Sequence, residues 1–163
     1  FLIPFLVLPV IAFGQTSGGQ TLLGLDVKDN ISIFSSEKKE KVIARMGHDF
    51  QQEDFLLINI LDAKGEMYFV NAMHAVAGDS VKGWISRKEK LVVYNKESDT
   101  LVKLYKLPSP GTAVNEVTYL TGEFTVTGYS KGWLKVIVNT ATSKATGWLA
   151  PEDQWNNPYA TNN

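Results

Sequence analysis

The sequence predicts an all-β protein made of two tandem copies of a small β module, and three observations predict it. Apolar and polar residues alternate at period two in segment after segment; in 133–138 (Trp-Leu-Lys-Val-Ile-Val), Leu134, Val136 and Val138 share one face. The motif Gly-Trp-aliphatic closes two such segments, as Gly83-Trp84-Ile85 and Gly147-Trp148-Leu149. No stretch carries the i, i+3, i+4 apolar pattern of an amphipathic helix of ordinary length. In the repeated motif the glycine is expected to let a second backbone approach closely and the tryptophan to cover the end of a small core.

Taken in order, residues 1–14 read as a signal peptide. An apolar run of about 13 residues, short of the ~20 a spanning helix needs, ends in Ala12-Phe13-Gly14, which places small residues at the −3 and −1 positions of a cut before Gln15. Residues 15–21, rich in Gly, Ser and Gln, read as a flexible leader. The N-terminal module is expected over 22–88, with strands at 31–34, 42–46, 55–61, 67–73 and 81–86. Gly65 supplies the turn between the third and fourth of these. The C-terminal module is expected over 89–153, with strands at 91–94, 101–106, 122–127, 133–138 and 146–150, followed by a tail over 154–163. Its insertion at 107–121 contains Pro108 and Pro110 and is expected to exclude regular pairing. Matching the copies by pattern sets 31–34 against 91–94, Val42 and Ala44 against Val102 and Leu104, and 55–60 against 133–138.

The chain has 163 residues and a net charge of −1 without a basic block, so it lacks the electrostatic footprint of a nucleic-acid binder. It has no cysteine, which excludes disulfides, a thiol nucleophile and a lipidated thiol at the cleavage site. An exported chain of this kind is expected to be periplasmic or secreted, with no membrane anchor after signal cleavage.

The opening 91–94, the strand 101–104, Gly122-Glu123-Phe124-Thr125-Val126 followed by Ser130-Lys131-Gly132-Trp133-Leu134-Lys135-Val136, and the closing Thr146-Gly147-Trp148-Leu149 resemble the bacterial SH3-like (SH3b) modules of exported and cell-wall-associated proteins. The first copy shares an aromatic at Phe55 and the Gly83-Trp84 pair. The resemblance implies two small, partly open β-barrels packed together. It also implies a non-catalytic role: recognition of a cell-envelope component, peptidoglycan or a peptide. The alternative from a different class is a structural or assembly protein that docks a protein partner through its loop insertions and C-terminal tail.

Half-exposed aromatic side chains give large contact area for little rotamer entropy. The period-two pattern turns Trp133 away from Leu134, Val136 and Val138 and places it beside Tyr129 of the preceding turn. Trp133, Tyr129 and Tyr94 are therefore the candidate ligand-binding groove, with Phe55 and Phe34 as the corresponding residues of the first copy. Trp84 and Trp148 are expected in the core or between the modules. His48 beside Asp49 and His74 beside Asp79 are the histidine–acid neighbours, and they read as surface residues. They lack the three or four converging ligands of a zinc site. No serine stands in a nucleophile turn, and neighbouring acids such as Glu53 and Asp54 point to opposite faces of a strand. No catalytic residue, metal or cofactor is expected.

Overall fold

The computed structural model describes residues 18–93, 101–117, 124–139 and 143–155. The segment 1–14 read as a signal peptide and Tyr94 lie outside these residues, as do 156–163 of the tail. The described chain forms twelve strands: β1 Gly19–Leu23, β2 Ile31–Phe34, β3 Val42–Met46, β4 Leu56–Lys64, β5 Met67–His74, β6 Ser80–Ser86, β7 Leu91–Val93, β8 Val102–Tyr105, β9 Ala113–Val117, β10 Phe124–Ser130, β11 Trp133–Asn139 and β12 Lys144–Leu149. A short 3-10 turn, Pro151–Asp153, follows β12.

All twelve strands belong to one open sheet in the order β3-β2-β6-β5-β4-β1-β7-β10-β11-β12-β8-β9, with antiparallel neighbours throughout. Alternation places one side chain in two on an inner face; Leu56, Ile58, Ile60, Val70, Leu134, Val136 and Val138 are fully buried there in one continuous apolar cluster. No helix among the described residues covers that face. Its burial therefore comes from the sheet curling over itself.

The sheet repeats itself. Read outward from β1 the order is β4, β5, β6, β2, β3; read outward from β7 it is β10, β11, β12, β8, β9. The irregularities repeat as well. β4 bulges at Leu61 and β10 at Thr127, each one residue before the strand resumes its pairing. β3 bulges at Ile43 and β9 at Val114. The turn after β6 bonds Glu89 N–H to Ser86 O, and the turn after β12 bonds Asp153 N–H to Ala150 O in the same way.

The registers correct the pattern-based matching of the copies. β5, not the segment beginning at Phe55, is the counterpart of β11, and β1, not β2, is the counterpart of β7. Only the Gly83-Trp84 and Gly147-Trp148 match survives. Strands that share a period-two pattern are interchangeable in sequence, whereas these glycines are held by sterics. A Cβ on Gly83 would stand 2.6 Å from Ile33 Cγ2 and 2.8 Å from Phe34 O, and one on Gly147 2.7 Å from Leu104 Cβ, because β2 and β8 cross there.

Two further expectations are corrected. Gly19, Gln20 and Thr21, placed in the leader, belong to a central strand, Gly19–Leu23, with Thr21 fully buried and its hydroxyl donating to Ile58 O at 2.7 Å. The insertion 107–121 contains β9, because its prolines sit in the turn before Gly111 and leave Ala113–Val117 free to pair with β8.

The halves meet at β1 and β7, with Leu22 opposite Val92 and Leu23 opposite Leu91. Further bonds cross between them at the bulges, where a strand carbonyl is freed from its ladder. Tyr129 Oη donates to Leu61 O at 3.2 Å, and Arg87 Nη2 donates to Thr127 O at 3.1 Å. Gln154, 4% exposed, adds a third tie. Its Oε1 accepts from Gln20 N–H at 2.9 Å, while its Nε2 donates to Gly132 O at 2.8 Å.

Candidate functional site

The outer face of the sheet carries a group of aromatic residues in each half. In the second half, β11 turns Leu134 and Val136 inward and Trp133 outward, half-buried. Its ring stands edge-on to Tyr105 of β8, with centroids 5.4 Å apart at 87°. Tyr105 is the register partner of Trp148 on β12, and Trp148 is in turn opposite Lys135 on β11. All three aromatics alternate with fully buried neighbours, Leu104, Leu149 and Leu134, so they share the face turned away from the core.

The first half repeats this arrangement. Phe34 of β2 is opposite Trp84 of β6, and Trp84 is opposite Phe69 of β5. The Phe69 and Trp84 rings lie 5.3 Å apart, and Lys39 Nζ stands 6.0 Å from the Phe34 ring centre. Buried Ile33, Ile85 and Val70 alternate with them.

Of the five residues expected to form a groove, the structure places Trp133 and Phe34 on this face in their respective halves. Tyr129 is not beside Trp133. The bulge at Thr127 reverses the alternation, so Tyr129 pairs with inward-facing Leu134 and packs against the core, where burial raises its pKa. Phe55 precedes β4 and belongs to a different cluster, described below. Trp84 and Trp148, expected in the core or between the modules, lie half-buried on the outer face. Tyr105 and Phe69 complete the clusters and were missed, because their relation to the tryptophans is one of cross-strand register between segments far apart in sequence. The positive-φ pair Lys131-Gly132 (φ 47° and 87°) makes the tight β10–β11 turn that fixes Trp133 at the start of its strand.

The second cluster is built from loops at one end of the first half. Leu56 N–H donates to His48 Nδ1 at 3.0 Å, which leaves the proton on Nε2 to be donated to Leu23 O at 3.0 Å and Gly24 O at 3.2 Å. His48 is thus held neutral. Burial lowers its pKa, and its bonds to Gly24 and Leu23 only partly oppose that. His74 has the opposite setting. Burial alone would lower its pKa, but the Gly47 carbonyl at 2.9 Å from Nε2 and Asp79 at 2.8 Å from Nδ1 raise it overall.

Asp54 is buried and raised by that burial, yet the amides of Val76 and Ala77 at 2.8 and 2.9 Å outweigh it and leave the carboxylate's pKa lowered. The surface-residue reading of both histidines is therefore corrected: each engages both ring nitrogens and ties loops together. The His48 ring packs edge-on against Phe50 at 5.2 Å and Phe55 at 5.5 Å, with Lys28 Nζ 4.0 Å over Phe50. Among the described residues no three His, Asp or Glu side chains converge as a metal-holding group.

Comparison with protein-family models, with curated proteins and with solved structures returned no match in any of the three.

Proposed function

We propose that the chain is a non-catalytic binding protein, exported to the periplasm or beyond, that recognises a component of the cell envelope, peptidoglycan or a peptide. Each half is read as a divergent SH3-like module, its sheet curled round an inner face and its β2–β6 or β8–β12 crossing made at a conserved-in-repeat glycine. The observation that carries the reading is Trp133, half-buried and edge-on to Tyr105 on a face that owes nothing to the core. A fixed, partly exposed tryptophan is the kind of side chain on which binding energy concentrates.

The test is a pull-down of residues 15–163 on insoluble peptidoglycan beside the Trp133→Ala variant, with folding of both followed by circular dichroism. Retention of the parent and loss of the folded variant support the reading. Equal behaviour of the two, or an unfolded variant, removes Trp133 from the site.

A second reading, assembly through a protein partner, has its own observation. Leu101 and Leu107 are each 62% exposed and Val114 47% exposed, all on or beside the β8–β9 hairpin, an apolar concentration on one projecting element. Replacing Leu107 and Val114 with serine would abolish association with that partner while leaving peptidoglycan retention intact. Loss of neither activity excludes this surface.

A further inference from the structure

We infer that the protein is a two-site binder, with Phe34 and Trp84 forming on the first half the equivalent of the Tyr105 and Trp148 surface on the second, and that its ligand is an acidic glycan chain rather than a single sugar unit or a peptide. The inference rests on the reading of the outer face as a binding surface and extends it to ligand class and valency.

The equivalence is set by register. Phe34 opposes Trp84 as Tyr105 opposes Trp148, in strands that occupy the same rank outward from β1 and β7. Each pair alternates with core residues, and the tryptophan of each follows a glycine at a close backbone crossing, so both pairs are placed by rigid sheet rather than by loops. A third residue differs: Phe69 extends the first cluster where Lys135 stands in the second. An aromatic pair repeated in one rigid chain suits a ligand that repeats. Two weak contacts to one polymer gain in avidity by about 10²–10⁴-fold without any new interaction.

Charge selects the polymer's chemistry. An ammonium accompanies each pair, Lys39 beside Phe34 and the exposed Lys135 opposite Trp148. Flat, partly exposed indole and phenyl rings stack on the apolar faces of sugar rings, and the flanking ammonium complements a carboxylate carried on the same repeat. An acidic amino-sugar polymer has both features at a regular interval.

The experiment compares binding to intact peptidoglycan with binding to single disaccharide-peptide units released from it by muramidase, for the parent chain, Trp84→Ala, Trp133→Ala and Phe34→Ser. Phe34→Tyr installs in the first half the residue found at the equivalent place in the second, and serves as the conservative control. The parent is expected to bind the polymer at least ten-fold more tightly than the single unit. Trp84→Ala and Phe34→Ser each lower polymer affinity at least ten-fold and leave one unit bound per chain. Phe34→Tyr stays at parent level, and Trp84→Ala combined with Trp133→Ala loses binding.

If the parent and Trp133→Ala behave as the single-site reading requires but folded Trp84→Ala and Phe34→Ser both bind polymer as the parent does, the second site is overturned and the first stands. Absence of parent binding to polymer and unit alike overturns both. Equal affinity of the parent for polymer and unit overturns the two-site inference alone, as does competition by a proline-rich peptide but not by the glycan.

Discussion

The two histidines make opposite demands on pH, and separating them is a sharp test of the loop cluster. His48 is held neutral, its folded pKa below the ordinary value near 6.5, so the stability it contributes is present above that value and is lost as pH falls through its lowered folded pKa. His74 is held charged, its folded pKa raised, so its contribution is present below the ordinary value and lost as pH rises through the raised one. In the parent chain the two slopes oppose one another between about pH 5 and 8. Each slope is bounded by about 1.4 kcal/mol per pH unit for one proton.

His48→Ala leaves the Leu56 amide, on a fully buried residue, without its acceptor, at a cost of about 1–3 kcal/mol. It also removes the edge contacts with Phe50 and Phe55, worth about 0.5–1.5 kcal/mol each. His74→Gln removes an ion pair whose Asp79 partner is exposed, worth at most about 1 kcal/mol.

Urea unfolding at pH 5, 6, 7 and 8 reads the result. His48→Ala, with His74 alone titrating, should be most stable at the acid end, and His74→Gln, with His48 alone, at the alkaline end. The groups facing His48 are Lys28 and His74, and those facing His74 are Asp79 and Asp54; each single variant removes the coupling between the two histidines. Slopes of the same sign in the two variants would refute the assignment of protons made here.

Three other perturbations test the frame. Gly83→Ala and Gly147→Ala each force β2 or β8 away from the crossing and should cost about 1–3 kcal/mol in thermal or urea unfolding, against almost nothing for Gly111→Ala, whose surroundings are open. Gln154→Ala strands the Gln20 amide and the Gly132 carbonyl; a loss of about 1–3 kcal/mol is expected, with faster amide hydrogen exchange at Gln20. Tyr129→Phe deletes the bond to Leu61 O between the halves at a cost of about 0.5–1.5 kcal/mol, and a double-mutant cycle with Arg87→Met should be near additive because the two bonds end on different bulges.

Much of the strand content was legible from period-two alternation alone, which placed Val42–Met46 and the inward set Leu134, Val136 and Val138 correctly. The glycine of each Gly-Trp motif was legible because its constraint is local. Strand identity was not: Ile31-Ser32-Ile33-Phe34 and Leu91-Val92-Val93-Tyr94 look alike as short apolar runs ending in an aromatic, yet β2 and β7 occupy different ranks in the sheet. β1 was hidden by Gly18 and Gly19, which read as a leader. Gly19 is held as glycine because a Cβ there would meet Leu134 Cδ2 at 2.6 Å, a contact made only once the second half is folded. At the site, Trp133 was legible as outward-facing, but one bulge at Thr127 sufficed to send Tyr129 to the other side. A bulge adds one residue and leaves no composition signal.

The seam between β1 and β7 has the form of a contact between two molecules. Because Gly19 and Gln20 are the counterparts of Leu91 and Val92, the pairing of Leu22 with Val92 and Leu23 with Leu91 is self-complementary: each half offers the same edge to the other in opposite directions. A single half with this edge bare would pair with itself in this register as a homodimer. Joined in one chain, the two halves make this contact at the millimolar effective concentration of a tether rather than at the concentration of the protein. Away from the seam the halves differ in their loops: the first carries the cluster around His48 and His74, while the β8–β9 hairpin of the second has its counterpart in β2–β3.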